Sequence, residues 1–120
     1  MVRVIVVDDD KDFGYLMQER LRSAGMFVTF HRGPFGTLMA IGELPYDLVI
    51  LDVNMPGLDG SQIVRLMRDT RGLRPLKVLL CSSMDVDRLR QLAQEIGVHG
   101  YISKSASKQE FLDKVRELVA

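Results

Sequence analysis

Several kinds of residue are scarce in this chain of 120 residues, and each scarcity excludes a class of protein. The single cysteine, Cys81, excludes an internal disulfide, and its place in the apolar run KVLLCSS indicates a small buried side chain. No charge of either sign is in excess: 16 basic residues balance 16 acidic ones, which argues against a general binder of nucleic acid or anionic membranes. No apolar run approaches the ~18 to 20 residues that span a bilayer, and no signal-peptide pattern opens the chain. We therefore expect a cytoplasmic protein that binds neither nucleic acid nor membrane directly.

The chain does contain a regular alternation of short apolar runs and helical patterns, repeated five times. Strands are predicted over residues 3–7, 26–31, 46–51, 76–81 and 99–103, and helices over about 13–24, 34–43, 59–71, 86–96 and 111–119. The first run, RVIVV, is β-branched and continuous, as in a strand that is buried on both faces. The second run is more polar, which places it nearer an edge of the sheet. Strict alternation of strands and helices predicts an α/β fold, with a parallel sheet covered by helices on both faces.

Capping residues and glycines mark the ends of the predicted helices. Gly25 and Gly97 close the first and fourth helices. Caps are expected for three helices: Asp10 or Asp12 for the first, Asp59 for the third, and Ser107 with Glu110 for the last. Arginine recurs at every third position near the end of the third helix, and we interpret this pattern as a solvated helix end: Arg65, Arg68, Arg71 and Arg74. Because no linker, repeat or low-complexity segment interrupts the chain, we expect residues 1–120 to form one domain, without a second one.

Carboxylate, hydroxyl or ammonium side chains follow four of the five predicted strands at the point where each strand ends, while the second strand ends in His31 and Arg32 and adds no carboxylate. The side chains at the four strand ends are Asp8, Asp9 and Asp10 after the first, Asp52 after the third, Ser82 and Ser83 after the fourth, and Ser103 and Lys104 after the fifth. Ligands of open parallel sheets bind beyond these carboxyl ends, so we expect the side chains to converge. Clustered carboxylates need a counter-ion, and a hard divalent cation such as Mg²⁺ accepts oxygen ligands of this kind. A lysine and a hydroxyl suit a phosphate group, and a carboxylate can itself become phosphorylated.

Four segments around these residues resemble a known family: VVDDD after the first strand, LDVNMPGLDG at 51–60, CSS after the fourth strand and YISK at 101–104. The chain resembles the receiver domain of two-component response regulators over essentially its whole length. The resemblance implies the flavodoxin-like or CheY-like fold, a doubly wound, five-stranded parallel sheet built from five βα units with strand order 2-1-3-4-5. It also implies a phosphoacceptor signalling domain rather than an enzyme, with only self-phosphorylation and autodephosphorylation expected.

Carried over position by position, the resemblance makes Asp52 the phosphoacceptor and places Mg²⁺, or Mn²⁺ as a substitute, beside it. Asp9 would bind the metal directly, and Asp8 would bind it directly or through water. Asp52 itself and the backbone carbonyl of Asn54 would complete the protein's share of the metal ligands.

The resemblance also implies the parts that sense the phosphoryl group. Ser82 would hydrogen-bond to it, Lys104 would pair with one of its oxygens, and Tyr101 would swing inward when Ser82 moves. The loop 82–86 and the surface formed by the fourth helix, fifth strand and fifth helix would then change. Three residues would shape the loop over the site: Pro56, Gly57 and Gly60.

Partners are implied on both sides of this switch. The phosphoryl donor would be a sensor histidine kinase or a histidine phosphotransfer protein. The signal would pass to a downstream protein or to an attached output domain, and phosphorylation could also produce a homodimer.

The chain departs from the family's pattern at three positions. Ser105 replaces the usual proline after Lys104, which the family joins through a cis peptide bond. A cis bond before a non-proline residue costs ~2.5 to 4 kcal/mol, so here the bond is either trans, with the lysine presented differently, or cis and strained. Ala106 replaces an aromatic residue and leaves the output face smaller. Ser83 replaces a small apolar residue. The switch residue is therefore either Ser82 or Ser83, and alignment on the strand end favours Ser82.

Two other functions are open on the sequence alone. A pseudo-receiver, an interaction module that is never phosphorylated, would have lost an acidic residue, the acceptor or the lysine. This chain keeps all of them, and Ser105 is the main feature in favour of that alternative. A phosphohydrolase with an aspartyl nucleophile usually has a second aspartate two residues later, where this chain has Asn54. A dinucleotide-binding site is excluded, because no glycine-rich loop follows the first strand.

Overall fold

The computed structural model describes residues 1–57, 59–70 and 76–120. Within them the elements follow one another as β1 (Arg3–Asp8), α1 (Lys11–Ser23), β2 (Phe27–Arg32), α2 (Thr37–Gly42), β3 (Leu48–Asp52), α3 (Gly60–Thr70), β4 (Lys77–Ser82), α4 (Val86–Ile96), β5 (Gly100–Ser103) and α5 (Lys108–Val119). The strands form one parallel sheet in the order β2-β1-β3-β4-β5, which confirms the doubly wound fold. The predicted end of the third helix at residue 71, and with it the later part of the arginine pattern, lies outside the described part of the chain.

Helices cover both faces of the sheet, which explains the unbroken apolar runs in its central strands. Alternate side chains of a strand point to opposite faces. Val4 and Val6 of β1 therefore pack into a cluster with residues of α1 and α5, and Ile5 and Val7 pack into a second cluster with residues of α2, α3 and α4. Cys81 belongs to the first cluster and is 2% exposed, which confirms its predicted burial.

Strand β2 lies at one edge of the sheet, as its polar composition predicted. The two elements that follow β2 in the chain, α2 and β3, begin later than the sequence pattern indicated. Helix α2 begins at Thr37 because Gly36 has a left-handed φ of +74° and the Thr37 hydroxyl donates a 2.6 Å bond to the carbonyl three residues earlier, which closes a turn. Strand β3 begins at Leu48 because Tyr46 lies in a turn, and its buried hydroxyl donates a 2.9 Å bond to that of Thr29.

Aspartate caps fix the first turns of α1 and α3. Asp10, rather than Asp12, caps α1, because its carboxylate accepts hydrogen bonds from the backbone N–H groups of Asp12 and Phe13. Asp59 accepts bonds from the side chain and the backbone of Ser61, and these bonds hold the pKa of Asp59 below its usual value. Asp10 and Asp59 are therefore confirmed as structural caps.

In the described ranges, no helix combines the length and the apolar composition needed to cross a bilayer.

Candidate functional site

The carboxyl ends of β1, β3, β4 and β5 meet at one edge of the sheet, because these strands are parallel neighbours. Asp8 is the last residue of β1 and Asp52 is the last residue of β3, and the two strands pair directly. Ser82 ends β4 and pairs in register with Ser103 of β5, the residue before Lys104. The topology therefore brings two carboxylates, a hydroxyl and an ammonium group to one rim, as predicted.

Asp8, Asp9 and Asp52 form an acidic cluster at this rim, in which their carboxylate oxygens lie within 4.8 Å of one another. Asp8 and Asp52 are 2% and 4% exposed, whereas Asp9 is partly open to solvent. Two oxygens on opposite sides of one Mg²⁺ ion lie ~4 Å apart, so small side-chain rotations would suffice for all three carboxylates to reach one ion. The donor set therefore fits a metal in both size and chemistry.

Lys104 contacts both buried carboxylates of the acidic cluster. Its Nζ donates to Oδ2 of Asp8 at 2.8 Å and to Oδ2 of Asp52 at 3.0 Å. Burial alone would lower the pKa of Lys104, but the hydrogen bonds to Asp8 and Asp52 outweigh it and raise this pKa. Burial is also the main reason that the pKa of Asp8 is raised, and hydrogen bonds from Lys104 and from the N–H of Asp10 oppose that shift. Lys104 is therefore held as a cation between two neighbouring buried carboxylates.

The peptide bond between Lys104 and Ser105 is trans, since within the described residues the cis bond is Gly33–Pro34. Lys104 nevertheless reaches both carboxylates. The turn that follows it is closed by Ser103, whose hydroxyl accepts a 3.1 Å bond from the N–H of Ser105 and lies 2.8 Å from the Ser105 hydroxyl. Of the two alternatives that the sequence left open, the structure has the trans peptide bond after Lys104. The hydroxyls of Ser103 and Ser105 stabilise the turn that follows.

Of the two candidate serines, Ser82 has its side chain in the site. Ser82 is fully buried, and its hydroxyl oxygen accepts bonds from Nδ2 of Asn54 at 2.9 Å and from the N–H of Met84 at 3.1 Å. Ser83 is exposed. This placement agrees with the alignment on the strand end, while the role of Ser82 as a switch stays a prediction.

Asn54 links Asp52 to Ser82 through its backbone N–H and its side-chain amide, a connection that sequence reasoning missed. The backbone N–H of Asn54 donates to Oδ1 of Asp52 at 2.9 Å, and its amide donates to the Ser82 hydroxyl at 2.9 Å. The sequence suggested only its backbone carbonyl, as a metal ligand, and that assignment stays a prediction. The available signal was a short polar side chain two residues after a strand end, which can fold back over the rim.

The remaining predicted site residues lie around this centre. Pro56 and Gly57 are exposed in the loop between β3 and α3, where Gly57 has a left-handed φ of +78°. Gly60 is the first residue of α3. Tyr101 is half-buried in β5 and packs against the core cluster on the side of α2, α3 and α4. The roles expected for these residues stay predictions.

Phe13 is a second residue near the site that the sequence did not single out. The centroid of its ring lies 4.6 Å from Nζ of Lys104. The sequence pattern placed Phe13 only at the start of the predicted first helix, and its side chain is half-buried against the core. Its position in the first turn of a helix that begins at the rim was the signal available.

Comparisons of the sequence with known proteins agree with one another. A family model described as the response regulator receiver domain matches residues 4–116. The uncharacterized transcriptional regulatory protein YkoG of Bacillus subtilis is 32% identical over 94% of this chain and 49% of its own length. The transcriptional regulatory protein BaeR of Escherichia coli is 30% identical over 98% of this chain and 48% of its own length. The chain thus spans about half the length of these curated relatives.

Solved structures share the fold along nearly the whole chain. The BeF3-activated N-terminal receiver domain of RstA from Klebsiella pneumoniae is similar with a TM-score of 0.84 and 29% identity, over 98% of this chain and 97% of that one. The chemotaxis protein CheY4 of Vibrio cholerae gives a TM-score of 0.87 at 22% identity, over 98% of both chains. The likeness to CheY4 shows the fold alone.

Proposed function

Because the chain belongs to the family of response regulator receiver domains, we propose that it is a phosphoacceptor switch of a two-component system. Its acceptor is Asp52, and its phosphoryl donor is a sensor histidine kinase or a histidine phosphotransfer protein. The observation that carries this proposal is the position of Lys104, whose ammonium group lies 3.0 Å from Asp52 and 2.8 Å from Asp8 inside the acidic cluster. Phosphoryl transfer depends on such positioning and charge neutralisation more than on covalent help from the protein.

The transfer itself needs no base from the protein, since Asp52 reacts as a carboxylate. A bond forms between a carboxylate oxygen of Asp52 and phosphorus, while the bond from phosphorus to the donor's imidazole nitrogen breaks and leaves its electron pair on that nitrogen. Lys104 can then pair with an oxygen of the transferred group. Mg²⁺ held by Asp8, Asp9, Asp52 and the backbone carbonyl of Asn54 would supply further neutralising charge for the phosphoryl oxygens.

The bonds of Ser82 provide the two-state element of this proposal. Its hydroxyl is engaged by Asn54 and by the N–H of Met84. A phosphoryl group adds about −1.5 to −2 charges and strong acceptor oxygens, so it attracts the hydroxyl as a donor. Ser82 would exchange its present partners for the phosphoryl group, the loop 82–86 would follow, and Tyr101 would move inward. The surface of α4, β5 and α5 would carry this change to a partner.

The partner that reads this surface is a downstream protein or an attached output domain. The curated relatives YkoG and BaeR are about twice as long as the part that matches this chain, and their names describe transcriptional regulators. By analogy, we expect an output module to act with this receiver, while the receiver itself makes no direct contact with nucleic acid. A phosphorylation-dependent homodimer is a further form of the same output.

Asp52→Asn tests the proposed function directly. The purified protein is incubated with acetyl phosphate and Mg²⁺, and its intact mass is measured. Wild type should gain the mass of one phosphoryl group, Asp52→Asn should gain none, and EDTA should abolish labelling. The matched control is Asp12→Asn, which removes an exposed aspartate of α1 and should be labelled like wild type. Equal labelling of wild type and Asp52→Asn would contradict the assignment of the acceptor.

The two alternatives receive less support from the site. A pseudo-receiver has no use for the acceptor, lysine and acidic cluster that converge here, and it would be indicated if wild type remained unlabelled. An aspartyl phosphohydrolase needs an acid-base group two residues after its nucleophile. In this position Asn54 offers an amide that already donates to Ser82.

A further inference from the structure

Besides the acidic cluster, the ammonium group of Lys104 contacts the ring of Phe13. A lysine has three N–H donors, and the carboxylates of Asp8 and Asp52 engage two of them. The ring centroid of Phe13 lies 4.6 Å from Nζ. A cation within about 6 Å of a ring centroid is attracted by the negative charge of the ring face. The side chain of Lys104 is 17% exposed, so burial excludes part of the water that would compete with this attraction.

The position of Phe13 is fixed by the segment that also carries the acidic residues. The N–H of Phe13 donates to the carboxylate of Asp10 at 3.3 Å. The N–H of Asp10 in turn donates to Oδ1 of Asp8 at 2.9 Å. The ring therefore stands on a helical turn that is hydrogen-bonded to the site itself.

The contact with Phe13 also differs in kind from the two ion pairs. The carboxylates of Asp8 and Asp52 are the groups that would receive the metal and the phosphoryl group, so their interactions with Lys104 must change during the reaction. The ring of Phe13 would receive neither the metal nor the phosphoryl group, so its attraction for the ammonium would not have to change in the reaction. A lysine side chain is a flexible four-carbon stem, and a constant contact limits where its charge can go.

We propose that Phe13 is a positioning residue for Lys104, whose ring keeps the ammonium group over Asp52 while a phosphoryl group arrives there. This inference rests on the proposed function of Asp52 as acceptor. Phe13 itself touches neither the donor nor the phosphoryl group in this proposal and acts only through Lys104.

Substitutions that keep or remove the ring separate this role from simple packing. Phe13→Leu and Phe13→Met keep an apolar side chain without a ring, and the pair guards against one of them failing to fold. Phe13→Tyr keeps the ring. The matched control is Tyr15→Leu, which removes an exposed aromatic of the same helix that packs edge-on against Phe30.

Two measurements follow for these variants. In a proton–carbon correlation spectrum, the terminal methylene resonances of Lys104 should lose their ring-current shift in Phe13→Leu and Phe13→Met but keep it in Phe13→Tyr and Tyr15→Leu. The maximal rate of labelling by acetyl phosphate should fall about two- to fivefold in the first pair, the size expected of a partly exposed cation–π contact, and stay at the wild-type value in the second pair.

Each outcome decides the proposal. An unchanged Lys104 resonance or an unchanged labelling rate in both ring-less variants would overturn it. Slower labelling with an unchanged Lys104 resonance would also overturn it, because Phe13 would then act by another route. Wild type that is never labelled would refute the proposed function, whereas normal labelling of every variant refutes only the role of Phe13.

Discussion

Replacing Asp9 by asparagine should stabilise the protein when EDTA removes divalent metals. The carboxylate of Asp9 lies within 4.8 Å of the carboxylates of Asp8 and Asp52. Lys104 pairs with those two residues and offsets one of their two negative charges. Asp9 is therefore left beside about one net negative charge, which the substitution would relieve.

The size of this effect follows from the distance and the exposure of Asp9. Two like charges 4.8 Å apart repel by about 1 kcal/mol in water and by about 3 kcal/mol at an effective dielectric of ~20. Because Asp9 is partly open to solvent, the lower figure applies. Asp9 also precedes the N-terminus of α1, where a negative charge contributes about 0.3 to 1 kcal/mol of stability. The net gain should therefore be up to about 0.7 kcal/mol, which raises the melting temperature by up to roughly 4 °C in a domain of this size.

Thermal melts in EDTA of wild type, Asp9→Asn and Asp12→Asn would measure this difference. Asp12 lies in the first turn of α1 but outside the acidic cluster, so its substitution reports the helix-terminus contribution alone. Asp9→Asn should melt above wild type and Asp12→Asn should not. Excess Mg²⁺ should stabilise wild type more than Asp9→Asn, because ligand binding to the folded state adds stability by mass action. An Asp9→Asn protein that melts below wild type in EDTA, by as much as Asp12→Asn does, would refute the repulsion.

Two predictions concern the core beneath the site. Gly14→Ala should lower the melting temperature, because an added Cβ would overlap the ring of Phe30. The control Gly42→Ala should not lower it, because the space at that Cβ position is open. Equal melting temperatures of the two variants would contradict the packing of α1 on β2. Cys81 should resist thiol reagents in the folded protein at mildly alkaline pH, since burial raises its pKa to about 12 and keeps the thiol protonated, and it should react once the protein is unfolded; fast labelling of the native protein would show that this thiol is accessible.

The element order and the position of the site could be predicted because they depend on patterns that are local in the sequence. An apolar run such as RVIVV specifies a buried strand, and a polar residue at its end must lie at the rim once the strands are parallel. Asp8, Asp52, Ser82 and Lys104 needed only this topology to be brought together. The sequence did not predict that the peptide bond after Lys104 is trans, because the choice between cis and trans depends on how far the lysine side chain must reach.

Contacts between side chains from distant elements could not be predicted in this way. The amide of Asn54 contacts Ser82, and the ring of Phe13 contacts Lys104. Both contacts depend on side-chain rotamers and on the distances between separate elements of the fold, which the spacing of residues in the sequence does not encode. The start of α2 was missed for a local reason, because the helical pattern from residue 34 does not show that Gly36 takes a left-handed conformation.

The triplet Asp8, Asp9 and Asp10 divides by burial into three separate tasks, and under the proposed function this division would couple metal binding to phosphorylation of Asp52. Asp10 is the helix cap, Asp9 faces solvent, and Asp8 is a buried charge whose ion pair with Lys104 compensates its loss of water. A phosphoryl group on Asp52 carries more charge than the carboxylate it replaces and competes for the same lysine. To the extent that Lys104 pairs with the phosphoryl group, its ion pair with Asp8 weakens, and the Asp8 carboxylate then needs another cation. The acidic cluster should therefore bind a divalent ion more tightly when Asp52 is phosphorylated than when it is not.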